Sequence, residues 1–245
     1  MRTAGKRKGR GAQRILSVWA LLARESIYKV AVVIIVMGMA ETALFYGHLR
    51  SGSGYLLAGA VESSHISWVF LAGLGLVFFI LARTEGSMEE KSRGTMLRLA
   101  LSPGSIFLIK MIYNMLCLIL LFTAQIWIAV WLVGLYGREI PEIYAPPQRL
   151  FLAFYRIEFL HCLLPMAETG KWVRNFLLLT TFSMEAAGGM GKKNCVPHIL
   201  LYVLTVSWFV SPIGMRMEDM MCMGVCVIVA AADGWRMRKA AVTAE

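Results

Sequence analysis

The sequence predicts an all-α integral membrane protein. Six transmembrane helices, an N-terminal interfacial helix and a short cytoplasmic helix between the second and third spans make up the expected fold. Three observations lead there. Of the 245 residues, 58% are hydrophobic and only 16% charged, whereas a soluble domain carries roughly 25% charged residues. The apolar residues fall in runs close to the ~20 needed to cross a ~30 Å hydrocarbon core. The basic residues behind the net charge of +10 are gathered in clusters, and Lys and Arg beside spans mark the cytoplasmic side.

The elements follow in order. Lys6, Arg7, Lys8, Arg10 and Arg14 crowd the N-terminus. From Gln13 to Lys29, Ile15, Val18, Trp19 and Leu22 recur at helical spacing, with Arg14 and Arg24 for the wet side, which is the pattern of an interfacial helix. The alternative is an extension of the first span, 30–46. A basic lead before an apolar run also suits a signal peptide, but a lead of roughly 29 residues is long for one. Residues 48–64 read as a loop and 66–82 as the second span. The third span is 111–136, with Trp127, Trp131 and Tyr136 suited to its far interface. Pro141, Pro146 and Pro147 stiffen the loop that follows.

Residues 150–166 are apolar but contain Arg156, Glu158 and His161, each costly at mid-bilayer. Further runs cover 175–190, 197–213 and 220–235. Counting 150–166 gives seven spans and an external C-terminus. Leaving it out gives six, and places the N-terminal cluster, 83–110, Lys192-Lys193 and Arg236-Arg238-Lys239 all inside. The charge asymmetry selects six spans with both termini cytoplasmic. Residues 138–174 then form an external loop with an interfacial helix, on which Arg156, Glu158 and His161 keep their polar ends in water. His161, Glu158 and Cys162 are too few for a closed zinc site, and Glu168, Lys171 and Arg174 supply ion pairs.

The segment 83–110 is two-signed. Ser87-Met88-Glu89-Glu90 fits a capping box. Glu85, Glu89 and Glu90 precede Lys91, Arg93 and Arg98, an order that complements a helix dipole. Met96, Leu97, Ala100 and Leu101 make an apolar stripe, and Ser102-Pro103-Gly104 ends the helix, with Ser105 able to cap the next. A short amphipathic helix on the cytoplasmic face follows. An ordinary positive-inside loop is the plainer reading of the same residues.

Glu89-x-x-x-Arg93-Gly94-Thr95-x-x-Arg98-Leu99-x-x-Ser102-Pro103, with Lys110 at the foot of the third span, resembles the permeases of type-2 ABC exporters. The resemblance implies that Glu89, Glu90, Arg93, Gly94, Thr95 and Arg98 belong to a coupling helix contacting a separate ABC ATPase subunit. It implies that 13–29 is an elbow helix. It also implies that a second copy, or a related permease, completes the transport unit in the lipid bilayer. The specific motif covers about twenty residues; the remainder of the likeness is topology. No ATPase lies in this chain: the phosphate-loop pattern is absent, and in Gly188-Gly189-Met190-Gly191-Lys192-Lys193 an alanine, Ala186, holds the first glycine position.

Gln125 and Glu185 lie in spans and are possible polar residues of a transport path. Glu41, near the end of its run, is expected to reach the interface. Cys117, Cys222 and Cys226 lie in apolar runs, and with Cys162 and Cys195 form neither C-x-x-C nor a disulfide framework. No catalytic residue, metal site or cofactor is expected, and the basic N-terminus carries no nucleic-acid-binding motif. The alternative function is a non-transporting membrane protein, an immunity, assembly or sensor factor that docks a soluble partner at its cytoplasmic loop.

Overall fold

The computed structural model describes the backbone of residues 2–50, 57–98, 102–139, 148–188, 199, 201–203, 205, 209, 213, 214 and 216–242. Side chains are described within these except at 2–12, 14, 84–98, 103 and 237–242. Every regular element among them is a helix: α1 Arg2–Arg50, α2 Leu57–Ser63, α3 Ile66–Arg98, α4 Pro103–Glu139, α5 Arg149–Arg156, α6 Glu158–Leu163, α7 Thr169–Gly188 and α8 Met217–Val242. Ile199, Leu201, Tyr202, Val203, Thr205 and Phe209 are helical as well, between α7 and α8.

Three helices are long and apolar enough to cross a membrane: Ile15–Arg50, Ile66–Arg83 and Gly104–Glu139. Trp68, Leu76, Trp127, Phe176 and Ile228 are among many large apolar side chains left exposed. Water tolerates no such continuous apolar surface; hydrocarbon does. The chain thus has the character of a membrane protein.

Two expected helix boundaries are absent. α1 is unbroken from Arg2 to Arg50, so 13–29 extends the first apolar helix and is not a separate interfacial element. Nothing between Gln13 and Val30 breaks a helix, and propagation is cheaper than a new nucleus. This half of α1 packs on the bundle: Val18 and Leu22 are buried, Trp19 meets Tyr113 edge-on at 6.1 Å and Ser26 shares a 2.7 Å hydrogen bond with Tyr113. Likewise α3 passes straight through Ser87 to Arg98, so the expected capping box lies inside a helix and starts none. Gly86 is the sole weak former near that point, and one glycine costs only ~1 kcal/mol.

The break does come at Ser102-Pro103. Pro103 is the first residue of α4, where its missing N–H costs nothing. Ser102 is the cap, not Ser105: Ser105 N–H donates to Ser102 Oγ at 3.3 Å and the two hydroxyls meet at 2.8 Å. The expected loop at 48–64 contains α2, joined to α3 through His65 in the left-handed region at φ 53°.

The core centres on Phe70 of α3. Its ring lies 5.3 Å from Phe122, 5.8 Å from Phe159 and 5.5 Å from Phe209. Further along, Phe78 meets Phe182 edge-on at 4.8 Å. Between them Tyr202 donates to the Leu71 carbonyl at 2.8 Å, and its ring fits only because residue 75 is glycine: a Cβ there would lie 2.7 Å from the phenol. These contacts join both halves of the chain into one core.

Candidate functional site

Three polar places stand out in an otherwise apolar bundle. The first is the charged end of α3. Its backbone is helical through Glu89, Glu90, Arg93, Gly94, Thr95 and Arg98, while the side chains of these residues lie outside the described ones. What the backbone adds is continuity: the resemblance-bearing segment and the apolar window Ile66–Arg83 are one helix.

The second place pairs α1 with α4. Gln125 Nε2 donates to Glu41 Oε2 at 2.8 Å, and both residues are fully buried. Glu41 therefore does not reach the interface as expected. It sits on a buried face of its helix, and Gln125, 84 residues away in sequence, supplies the donor.

The third extends along α7 and α8. At one end Arg174 Nη1 donates to Asp219 Oδ1, with both side chains fully buried. Asn175 Oδ1 accepts from Arg174 Nη2 at 3.1 Å, and its amide donates to the Cys162 carbonyl at 2.7 Å. The Arg174 guanidinium lies over Phe209, 5.8 Å from the ring centroid. Asp219 also accepts from Arg216 N–H at 3.3 Å, the reciprocal half of a capping box at the start of α8.

Beside this pair, Glu168 Oε1 accepts from Gly214 N–H at 2.7 Å. His161 Nε2 lies 3.4 Å and Lys171 Nζ 3.6 Å from the same carboxylate. His161 Nδ1 donates to the Phe154 carbonyl at 3.2 Å. At the other end of α7, Glu185 faces Asp233 and lies within electrostatic reach of Arg236.

Residues 150–166 form α5 and α6, separated at Ile157 by an extended backbone. At 8 and 6 residues neither approaches the ~20 of a span. Arg156 and Glu158 are exposed, but His161 is buried at 1% exposure, contrary to the expectation that it keeps its polar end in water. Phe159, Leu160 and Leu163 pull α6 into the core, and Glu168 makes the burial of His161 tolerable. Lys171 and Arg174 belong to α7 rather than to a loop and are buried. Tyr136 also departs from expectation: it is buried, with its hydroxyl on the Leu57 backbone, while Trp127 and Trp131 are exposed.

Asp219 was not evident from the sequence as a partner of Arg174. Its local signal was an acid in the first turn of a helix; its long-range role needed the fold. Among the described residues no group of three or more His, Cys, Asp or Glu could hold a metal ion. No protein-family model matches the chain, and no curated protein or solved structure is similar to it.

Proposed function

We propose that the chain is the membrane-spanning permease subunit of an ATP-driven exporter of the type-2 ABC kind, working with a separate ATPase subunit and a second permease copy or relative. The observation that carries this reading is the segment joining the second and third apolar helices. Glu89 to Pro103 has the exporter-like pattern, and its first part, Glu89 to Arg98, prolongs α3 without a break. A push on Glu89, Glu90, Arg93 or Arg98 would travel along one helix to Phe70 in the core, with no hinge to absorb it.

In this reading six segments cross the bilayer, α7, the segment 197–213 and most of α8 among them, and both termini are cytoplasmic. Gln125 and Glu185 are engaged with Glu41 and Asp233, so the reading gives them to bundle packing. The path itself falls to the surface shared with the second permease.

The rival reading, a non-transporting membrane protein docking a soluble partner at the same segment, also has an observation in its favour. Glu41 of α1 pairs with Gln125 of α4 and Arg174 of α7 with Asp219 of α8, and a groove of about 950 Å³ on the bundle is apolar. Purification from native membranes in mild detergent separates the two. An ABC ATPase should co-purify, and Glu90→Lys with Arg93→Glu should release it while insertion is unchanged. Exposed pairs contribute ~1 kcal/mol or less each, so the paired reversal is the informative variant. A soluble partner that is no ATPase, lost on the same reversal, would establish the rival.

A further inference from the structure

α1 and α4 run side by side in the same direction. Ser26 meets Tyr113 at 2.7 Å, and Glu41 meets Gln125 at 2.8 Å. On their outward face lies a groove of about 950 Å³, lined by Gly38, Met39 and Thr42 of α1 and Thr123, Trp127 and Trp131 of α4, among others. It falls within two of the helices apolar enough to cross a membrane. Its threonine hydroxyls are turned away from any occupant: Thr42 donates to the Gly38 carbonyl at 2.7 Å and Thr123 to the Ile119 carbonyl at 2.8 Å. What remains is a hydrocarbon-binding surface.

One end of the groove is different. Tyr46 and Trp131 lie toward it, one turn beyond Trp127 on α4, and such residues settle at a headgroup boundary. A smaller cavity of about 190 Å³ continues from it through the shared Trp127, Trp131 and Leu135 to Arg138. Arg50, in the last turn of α1, holds its guanidinium 5.0 Å from the Tyr46 ring centroid. Arg50 lies 9 residues beyond Glu41, and Arg138 lies 13 beyond Gln125, so both cations stand past the same end of the groove. Both are exposed, and neither forms an ion pair with a described residue, the adjacent Glu139 included.

We propose that this is a binding site for an anionic phospholipid, one acyl chain in the groove and the phosphate between Arg50 and Arg138. Charge complementarity selects the anionic headgroup, since guanidinium forks match phosphate oxygens. The same charges disfavour a second copy as occupant. A twofold contact about an axis along the bilayer normal would bring each arginine pair beside its duplicate. The inference goes beyond the proposed function, because it needs a bilayer and no ATPase.

The test uses the full chain in phosphatidylcholine vesicles. Tryptophan fluorescence is followed while brominated phosphatidylglycerol or brominated phosphatidylcholine replaces part of the lipid. The phosphatidylglycerol should quench at a mole fraction roughly thirtyfold lower, for two arginines near the surface. That preference should vanish in Arg50→Gln with Arg138→Gln, and in Trp127→Phe with Trp131→Phe, which removes the reporters. Equal quenching by the two lipids in the unmodified chain overturns the proposal, whether or not the arginine variant inserts. So does ready disulfide formation between copies through Met39→Cys, with the five native cysteines replaced, because a second copy then covers the groove.

Discussion

Glu41 of α1 and Gln125 of α4 are joined by a 2.8 Å hydrogen bond at a depth where neither side chain meets solvent. Each lies within a helix apolar enough to cross the membrane. A polar group buried without a partner costs about 1–3 kcal/mol, so each explains the presence of the other. Removal of one partner should therefore cost more than replacement by another hydrogen-bonding group. Glu41→Ala should lower thermal stability in detergent, measured by fluorescence-detected size exclusion, by an amount equivalent to about 1–3 kcal/mol. Glu41→Gln, which can still accept from Gln125, should fall well short of that loss. Equal losses in both variants would mean that the pair contributes shape rather than a hydrogen bond.

Arg174 and Asp219 make the sharper case, because both are charged and fully buried. Removing one partner strands the other, at about 3–5 kcal/mol. Asp219→Ala should thus be among the most damaging single changes in the second half of the chain. Arg174→Met combined with Asp219→Leu should recover much of the loss, since apolar residues of similar volume often replace a buried ion pair at little cost. Expression and unfolding temperature of the two single variants and the double variant form the measurement. A double variant worse than either single would instead point to the Asn175 and Phe209 contacts of Arg174 as what the site needs.

The two pairs mark how far local pattern carries. The all-helical character and the apolar windows of α1, α3 and α4 followed from composition and run length. The stop at Ser102-Pro103 followed from proline chemistry. Helix continuity did not follow: Ser87-Met88-Glu89-Glu90 satisfies a capping pattern and sits mid-helix all the same. A cap requires non-helical backbone at the cap residue, and nothing around Ser87 imposes it. Nor could the burial of His161, or the pairing of Arg174 with a residue 45 positions away, be read from spacing. Such contacts depend on which helices become neighbours, and the packing around Phe70 decides that.

Gly75 offers a test of that packing. The Tyr202 ring occupies the space that a side chain at 75 would need, while its hydroxyl is anchored on the Leu71 carbonyl. Gly75→Ala should destabilise the protein by about 1–3 kcal/mol through overpacking. Tyr202→Leu, introduced with it, should relieve the clash. A Gly75→Ala variant as stable as the parent would show that Tyr202 swings clear without cost.

Topology can be argued from the same contacts. Arg174 meets Asp219, the Thr181 hydroxyl lies 3.4 Å from the Cys226 carbonyl, and Glu185 faces Asp233. The order rises together along α7 and α8, so these helices are parallel and the chain between them returns across the bundle. Phe209 lies against both Phe70 of α3 and Arg174 of α7, and further on Phe78 meets Phe182, which gives α3 and α7 the same direction. The ends at Arg83, Gly188 and Arg236 then share one side, which the proposed topology makes the cytoplasmic one because basic residues lie near it. In intact cells, with native cysteines replaced, an impermeant thiol reagent should label a cysteine placed at Ser53 or Glu142. It should leave one at Lys193 or Thr243 unlabelled until the membrane is opened. Strong external labelling at Lys193 would reverse the second half of the chain. Because α3 and α7 are parallel, it would also require either a different packing around Phe70 or an inverted first half, and labelling at Ser53 in the same experiment distinguishes these.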